Sequence, residues 1–162
     1  MVVDFAIRKS PEYRIAERTL VGKWPGDKAI LAEFVKVQAW AKEKKLRTGK
    51  WFFVESGDED MSPNSKLRIE MGIEIRGKSK VRGGKGVKLK ALPASSMATV
   101  TFDPDAVSPR VIYHGINDWL RHLEKTRKYK ELGPYREVYP GNPWASKSAW
   151  AHTQIQVPVK KL

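Results

Sequence analysis

Residues 51–55 (WFFVE) and 68–75 (RIEMGIEI) return later in the chain as 135–139 (YREVY) and 152–159 (HTQIQVPV). Both pairs lie 84 residues apart, counted from 51 to 135 and from 68 to 152. This repeat predicts two similar half-domains, and roughly 80 residues bury so little apolar surface that we expect the halves to share a sheet. Such a pair leaves a cleft between its halves, where we look for the functional site.

The two halves follow the same order of elements, which is strand-strand-helix-strand-strand. The first helix begins at 25–27 (PGD) and the second at 108–109 (SP), where a serine cap and a first-turn proline favour a helix start. We therefore predict an α+β fold built by tandem duplication.

The repeats also give a domain organisation. Repeat one covers about 1–75, a basic linker follows at 76–86, and repeat two covers about 87–162. We predict that 1–162 forms a single domain.

Composition excludes several classes of site. The chain has no cysteine, which removes disulfides, thiolate zinc sites and thiol nucleophiles. Its three histidines have no spacing typical of a metal site, and we predict neither a metal nor a cofactor. No apolar run reaches the length of a membrane span or a signal peptide, so we expect a cytoplasmic protein without a membrane partner.

The formal net charge of +13 is concentrated in one segment. Residues 76–90 (RGKSKVRGGKGVKLK) hold seven basic side chains and no acidic one. This glycine-rich stretch predicts an exposed, mobile connection. It could bind nucleic acid or another polyanion through phosphate contacts. The alternative is a solvated loop that keeps a basic protein soluble, which the lack of an aromatic side chain to stack on bases favours.

Alternation within the strands separates two faces of the predicted sheet. Ile69, Met71 and Ile73 share one face, and Ile155 and Val157 share the equivalent face in the repeat. We expect these apolar faces to lie beneath the two helices. The polar residues between them then point to the opposite side, among them Glu70, Glu74, Gln154 and Gln156.

The other repeated strand supplies the candidate site. Trp51 and Phe53 share one face, as do Tyr135, Glu137 and Tyr139. Four aromatic rings on a face that only contacts solvent would leave a large apolar area unburied. We therefore predict a concave, aromatic surface with one acid in it, on the side of the sheet away from the helices.

Glu137 in this setting has two possible functional roles, and the alternative to both is a surface glutamate paired with Arg136 or a lysine. If it is ionised, it pairs with a cationic ligand that stacks on the rings, and cation–π attraction adds ~0.5–2 kcal/mol. If it is partly desolvated, it serves as a general acid or base toward a reactive ligand. Trp24, Trp144 and Trp150 fall in loop or strand-end segments, where they could contact a ligand at the cleft or its rim or serve simple packing; Trp24 and Trp144 are our candidates for further walls.

The repeat resembles the GyrI-like small-molecule-binding domains, which also form the effector-binding part of multidrug-sensing transcription regulators. The segments that carry the resemblance are 66–75 (KLRIEMGIEI), 87–98 (VKLKALPASSMA), 133–143 (GPYREVYPGNP) and 153–159 (TQIQVPV). The resemblance implies two strand-helix-strand-strand modules side by side, whose antiparallel sheet has two helices on one side and a ligand cleft on the other.

The resemblance also implies roles for single residues. The family carries an acid at the place of Glu137 and an aromatic residue at that of Tyr139, so both are expected in the pocket. Gln154 stands where the family usually has Glu, which implies a less acidic pocket. The family's Gly-Pro-Tyr segment before the first helix appears here as 22–25 (GKWP), which keeps an aromatic residue.

Three functions are open at this stage. The first is a stand-alone binding protein for a hydrophobic or cationic aromatic compound, with Glu137 as its polar contact. The second, for which the family offers relatives, is a hydrolase of cyclopropane-type reactive ligands in which Glu137 is the base and Tyr139 orients the substrate. The third is a polyanion or DNA gyrase interaction through the basic linker.

Overall fold

The computed structural model describes residues 3–57, 66–77 and 80–162. Lys78 of the predicted linker lies outside these ranges. In chain order the elements are β1 (Ala6–Ser10), β2 (Tyr13–Gly22), α1 (Asp27–Glu43), β3 (Arg47–Ser56), β4 (Leu67–Arg76), β5 (Lys88–Leu92), β6 (Ser95–Phe102), α2 (Pro109–Lys125), β7 (Tyr129–Glu131), β8 (Arg136–Tyr139), α3 (Lys147–Ala151) and β9 (Thr153–Lys161).

The chain divides into two compact units. Unit 1 consists of Met1–Pro11 with Ala94–Leu162, and unit 2 consists of Glu12–Pro93. In unit 1 the strands lie in the order β1-β6-β9-β8, and β7 also pairs with β9. In unit 2 the order is β3-β4-β2-β5. The pairs within each unit are antiparallel, which confirms the predicted α+β class.

The compact units differ from the sequence halves in one respect. β1 belongs to the first half of the sequence but pairs with β6, from Ala6 opposite Thr99 to Ser10 opposite Ser95. β5 belongs to the second half but pairs with β2. Each half therefore gives one strand to the sheet of the other, which a repeat found by sequence matching does not reveal. The single-domain assignment stays a prediction.

One long helix packs on the strands of each unit. In unit 2 the ring of Phe34 on α1 stacks on Trp51 of β3, with centroids 4.8 Å apart. In unit 1, α2 contributes Ile116 and Leu120 to a core that also contains Ile155 and Val157 of β9. Both helices begin where the sequence predicts, at Asp27 and Pro109. The short elements β7 and α3 were not predicted.

The described part of the linker is held against unit 2. Two backbone hydrogen bonds of 3.0 and 2.9 Å join Gly84 and Val87 into a closed turn. Arg18 donates to the carbonyl of Lys85 over 2.7 Å, and the Lys85 ammonium lies 2.9 Å from the Glu43 carboxylate. This part of the linker therefore forms a turn that contacts β2 and α1, and its mobility stays a prediction. Its binding to polyanions stays a prediction.

Within the described ranges, none of the helices is long and apolar enough to cross a membrane.

The core of unit 1 gives a first testable prediction. Ile116 is fully buried, whereas Val111 on the same helix is 62% exposed. Ile116→Ala should lower the free energy of unfolding by about 2–5 kcal/mol because it leaves a cavity, while Val111→Ala should change it by less than about 0.5 kcal/mol. Urea denaturation followed by circular dichroism measures both, and equal effects would contradict the described packing.

Candidate functional site

Strand register determines the face on which Glu137 lies. Glu137 of β8 pairs with Ile155 of β9, and Ile155 pairs on its other side with Val100. Directly paired residues point to the same face of a sheet. Ile155 and Val100 belong to the core beneath α2, so Glu137 is on the helix side. The predicted placement on the side away from the helices is wrong for Glu137 and its strand neighbours Tyr135 and Tyr139.

The predicted aromatic residues of unit 2 follow the same rule. Trp51 pairs with Ile73 and Phe53 pairs with Met71, so both lie on the face that α1 covers. Trp24, just before α1, places its ring edge against Phe53 at 6.4 Å between centroids. The predicted face is wrong here too, because alternation shows which residues of one strand share a face but not how neighbouring strands are in register.

The Glu137 carboxylate is held by two tyrosines. The Tyr113 hydroxyl on α2 donates to Oε1 over 2.6 Å, and the Tyr139 hydroxyl donates to Oε2. A carboxylate offers about four acceptor positions, so roughly two remain open. The site therefore contains a fixed acceptor group that can take further hydrogen bonds.

Aromatic rings flank this carboxylate as two stacked pairs. Tyr113 stacks on Tyr135 at 6.0 Å between centroids and 20° between planes. Tyr139 stacks on Trp150 of α3 at 6.4 Å and 9°. The Tyr135 hydroxyl donates to the Asn117 side chain on α2, which fixes its ring. We define these four rings and Glu137 as the Glu137 site.

Both strand tyrosines of the site remain neutral donors at physiological pH. Burial, and then the charge of Glu137, raises the pKa of Tyr139 well above its usual value. Burial, together with the charge of Glu131, raises the pKa of Tyr135 to about 12. Since a neutral phenol carries no positive charge, Tyr139 satisfies part of the carboxylate without neutralising it.

The remaining predicted site residues lie elsewhere in unit 1. Gln154 pairs with Thr101 and Val138, which puts it on the face opposite Glu137, and it donates to the Thr101 hydroxyl over 3.0 Å. Trp144 is 46% exposed in the segment between β8 and α3. Ligand contacts by Gln154, Trp144 and the aromatic residues of unit 2 stay predictions.

Comparison with models of protein families shows to which family the chain belongs. The model of the GyrI-like small molecule binding domain matches residues 4–160. The chain belongs to this family. No curated protein sequence matches it.

Solved structures share the fold of this GyrI-like chain at low sequence identity. The EcmrR chain in a DNA complex has a TM-score of 0.73 at 18% identity; the match covers 99% of this chain but only 58% of that one. The EcmrR C-terminal domain has a TM-score of 0.63 at 16% sequence identity, and the match covers 100% of both chains. SAV2435 bound to tetraphenylphosphonium has a TM-score of 0.53 at 9% sequence identity, and the match covers 97% of this chain and 94% of that one. A hydrolase from Listeria innocua has a TM-score of 0.58 at 11% sequence identity, and the match covers 95% of this chain and 91% of that one.

Sequence reasoning missed part of the Glu137 site. Tyr113 and Asn117 are four residues apart, a spacing that puts both on one side of a helix facing the sheet. That spacing could have identified them. Trp150 was recognised only as one of several loop tryptophans, because its helix has five residues and gives no periodic signal.

A second acid of this GyrI-like chain also escaped prediction. Glu17 on β2 is only 4% exposed, and its Oε2 atom has no hydrogen-bond partner among the described residues. It pairs with Gly72 and Lys88, on the face of unit 2 away from α1. Burial, reinforced by the charge of Glu70, raises its pKa above the ordinary value. Nothing in the sequence pattern distinguishes Glu17 from an exposed strand glutamate.

The two hydrogen bonds on Glu137 give a second prediction. Tyr139→Phe keeps the ring stack but leaves a carboxylate oxygen without its donor, and should lower the free energy of unfolding by about 1–3 kcal/mol. Tyr129→Phe is the matched control, since its hydroxyl bonds to none of the described residues. Urea denaturation compares them, and a Tyr139→Phe variant as stable as the control would contradict the described bond.

The burial of Glu17 gives a third prediction. Because its folded-state pKa is raised, the folded protein keeps a proton that the unfolded chain has lost, so stability falls as pH rises from about 4.5 through the raised value. Glu17→Gln lacks this loss and should gain stability over the wild type between pH 4 and pH 8.

Urea midpoints across this range measure the difference, with Glu12→Gln on the exposed surface as control. A wild type that gains stability over Glu17→Gln as pH rises would show that Glu17 is stabilised as an anion, against the described environment.

Proposed function

We propose that this chain is a cytoplasmic binding protein for hydrophobic, cationic aromatic compounds, with the Glu137 site as the place where they bind. The charge of Glu137 pairs with the cation, and the rings of Tyr113, Tyr135, Tyr139 and Trp150 contact its apolar surface. Cation–π attraction adds to the ion pair where the compound faces a ring.

One observation carries this proposal, which is that the described partners of Glu137 are neutral. Glu33 in unit 2 provides the contrast within the same chain. It is 7% exposed, and Arg18 and Lys36 neutralise it, the latter at 2.9 Å. Glu33 is therefore a structural ion pair, whereas the tyrosine hydroxyls leave the negative charge of Glu137 available to a ligand.

One structural neighbour was solved with a compound of the proposed class. SAV2435 was solved with tetraphenylphosphonium, a lipophilic cation with four phenyl rings. EcmrR forms a DNA complex, and this chain spans 58% of that protein. The likeness to each of them shows the fold alone, so the ligand class rests on the Glu137 site.

The fourth prediction tests the charge of Glu137. Glu137→Gln keeps the size and the acceptor oxygen but removes the charge, so affinity for tetraphenylphosphonium should fall about tenfold to a hundredfold. Affinity for neutral triphenylphosphine oxide should change by less than about threefold. Quenching of tryptophan fluorescence during titration measures both, with Glu124→Gln on the exposed side of α2 as the charge-matched control.

Two results would contradict the proposal. Equal losses for the cation and the neutral compound would mean that Glu137 contributes shape and not charge. Absence of saturable quenching in the wild type with either compound would exclude this ligand class.

Hydrolysis of a reactive ligand is the second candidate, because the same carboxylate and the Tyr139 hydroxyl, held by Glu137, could activate water at a bound compound. Product analysis with a cyclopropane-containing alkylating compound separates the two functions. An enzyme should lose turnover in Glu137→Gln while it still binds the compound. A binding protein should leave the compound intact in both forms.

A further inference from the structure

Trp150 is linked to a residue that neither the sequence pattern nor the family assigns to a site. Its indole Nε1–H donates to the Asp105 carboxylate over 3.0 Å, while its ring stacks on Tyr139. Tyr139 in turn donates to Glu137. A continuous series of contacts thus runs from Asp105 on the surface to the carboxylate of the Glu137 site.

Asp105 is itself held in place by the turn between β6 and α2. Its backbone N–H donates to the Asp103 side chain over 2.9 Å, and the Val107 N–H donates to the Asp103 carbonyl over 2.9 Å. These bonds fix the backbone at Asp105 and leave its carboxylate available to Trp150. The second carboxylate oxygen of Asp105 has no hydrogen-bond partner in the part of the chain that the structure describes.

The backbone around Trp150 is fixed as well. The Ser146 hydroxyl caps α3 by accepting from the Ala149 N–H over 3.1 Å, and the Thr153 hydroxyl donates to the Trp150 carbonyl over 2.6 Å. The backbone of α3 therefore holds its position, and the contacts with Asp105 and Tyr139 determine where the indole ring points.

We infer that Asp105 is a positioning residue of the Glu137 site that also makes the Trp150 ring more attractive to cations. A carboxylate that accepts from the indole N–H pushes electron density into the ring, which strengthens the negative potential of its face. Tryptophan is the best cation–π partner among the aromatic residues. Asp105 thus supplies a second negative charge that acts through Trp150, and this inference rests on the proposed cation-binding function.

The fifth prediction separates charge from position. Asp105→Asn keeps an acceptor for the indole N–H but removes the charge, so affinity for tetraphenylphosphonium should fall about threefold to tenfold while that for triphenylphosphine oxide stays the same. Asp105→Ala also releases the ring and should weaken binding of both compounds. The control, Asp118→Asn, removes one exposed charge from α2 and should change neither affinity.

A double variant tests whether the effect passes through Trp150. Trp150→Phe has no N–H for Asp105 to hold, so adding Asp105→Asn to it should cause no further loss of affinity for the cation. If Asp105→Asn lowered the affinity for the cation equally in the wild type and in Trp150→Phe, the inference would be overturned, because the charge of Asp105 would then act directly on the ligand.

A measurement without ligand tests the anchor by itself. The indole N–H signal of Trp150 in a ¹⁵N spectrum, assigned by its loss in Trp150→Phe, should move upfield and exchange faster with water in Asp105→Ala. An unmoved signal would overturn the Asp105–Trp150 contact whether or not the wild type binds a cation. A wild type that binds neither compound would instead exclude the proposed function, and with it the charge role of Asp105.

Discussion

The pairing of Glu137 with Ile155 places the acid on the face of the sheet that α2 covers. Everything else in the Glu137 site depends on this register. Tyr113 can reach Glu137 only because α2 crosses that face, and Tyr139 lies beside it because it is two residues along the same strand. A shift of β8 by one residue in register would turn Glu137 to the other face of the sheet and place Val138 on the helix side instead.

A partly buried carboxylate is costly unless its oxygens are satisfied. This chain satisfies two such groups in different ways. Arg18 and Lys36 cancel the charge of Glu33, and although burial alone would raise its pKa, their bonds hold that pKa below the ordinary value. Among the described residues, the hydrogen-bond partners of Glu137 are two neutral hydroxyls, which do not cancel its charge. The difference explains why one acid holds a helix to its sheet while the other suits a ligand.

The sequence predicted most elements and the apolar faces, because alternation along β4 and β9 and the helix start at Pro109 are local signals. It also placed Glu137 between two tyrosines, and in the structure one of them, Tyr139, donates to its carboxylate. The wrong face followed from register, which depends on contacts between strands distant in sequence. The partners Tyr113 and Trp150 come from α2 and α3, and only tertiary packing brings them to the strand.

Location of a bound cation is the most direct test of this account. Tetraphenylarsonium is an isostere of tetraphenylphosphonium whose arsenic atom gives an anomalous signal in a crystal. The account predicts an arsenic peak beside the Glu137 carboxylate, with a phenyl ring against Trp150 or Tyr135. A well-occupied peak elsewhere, with Glu137 still bonded only to Tyr113 and Tyr139, would contradict the claim that the uncompensated charge of Glu137 is the binding determinant.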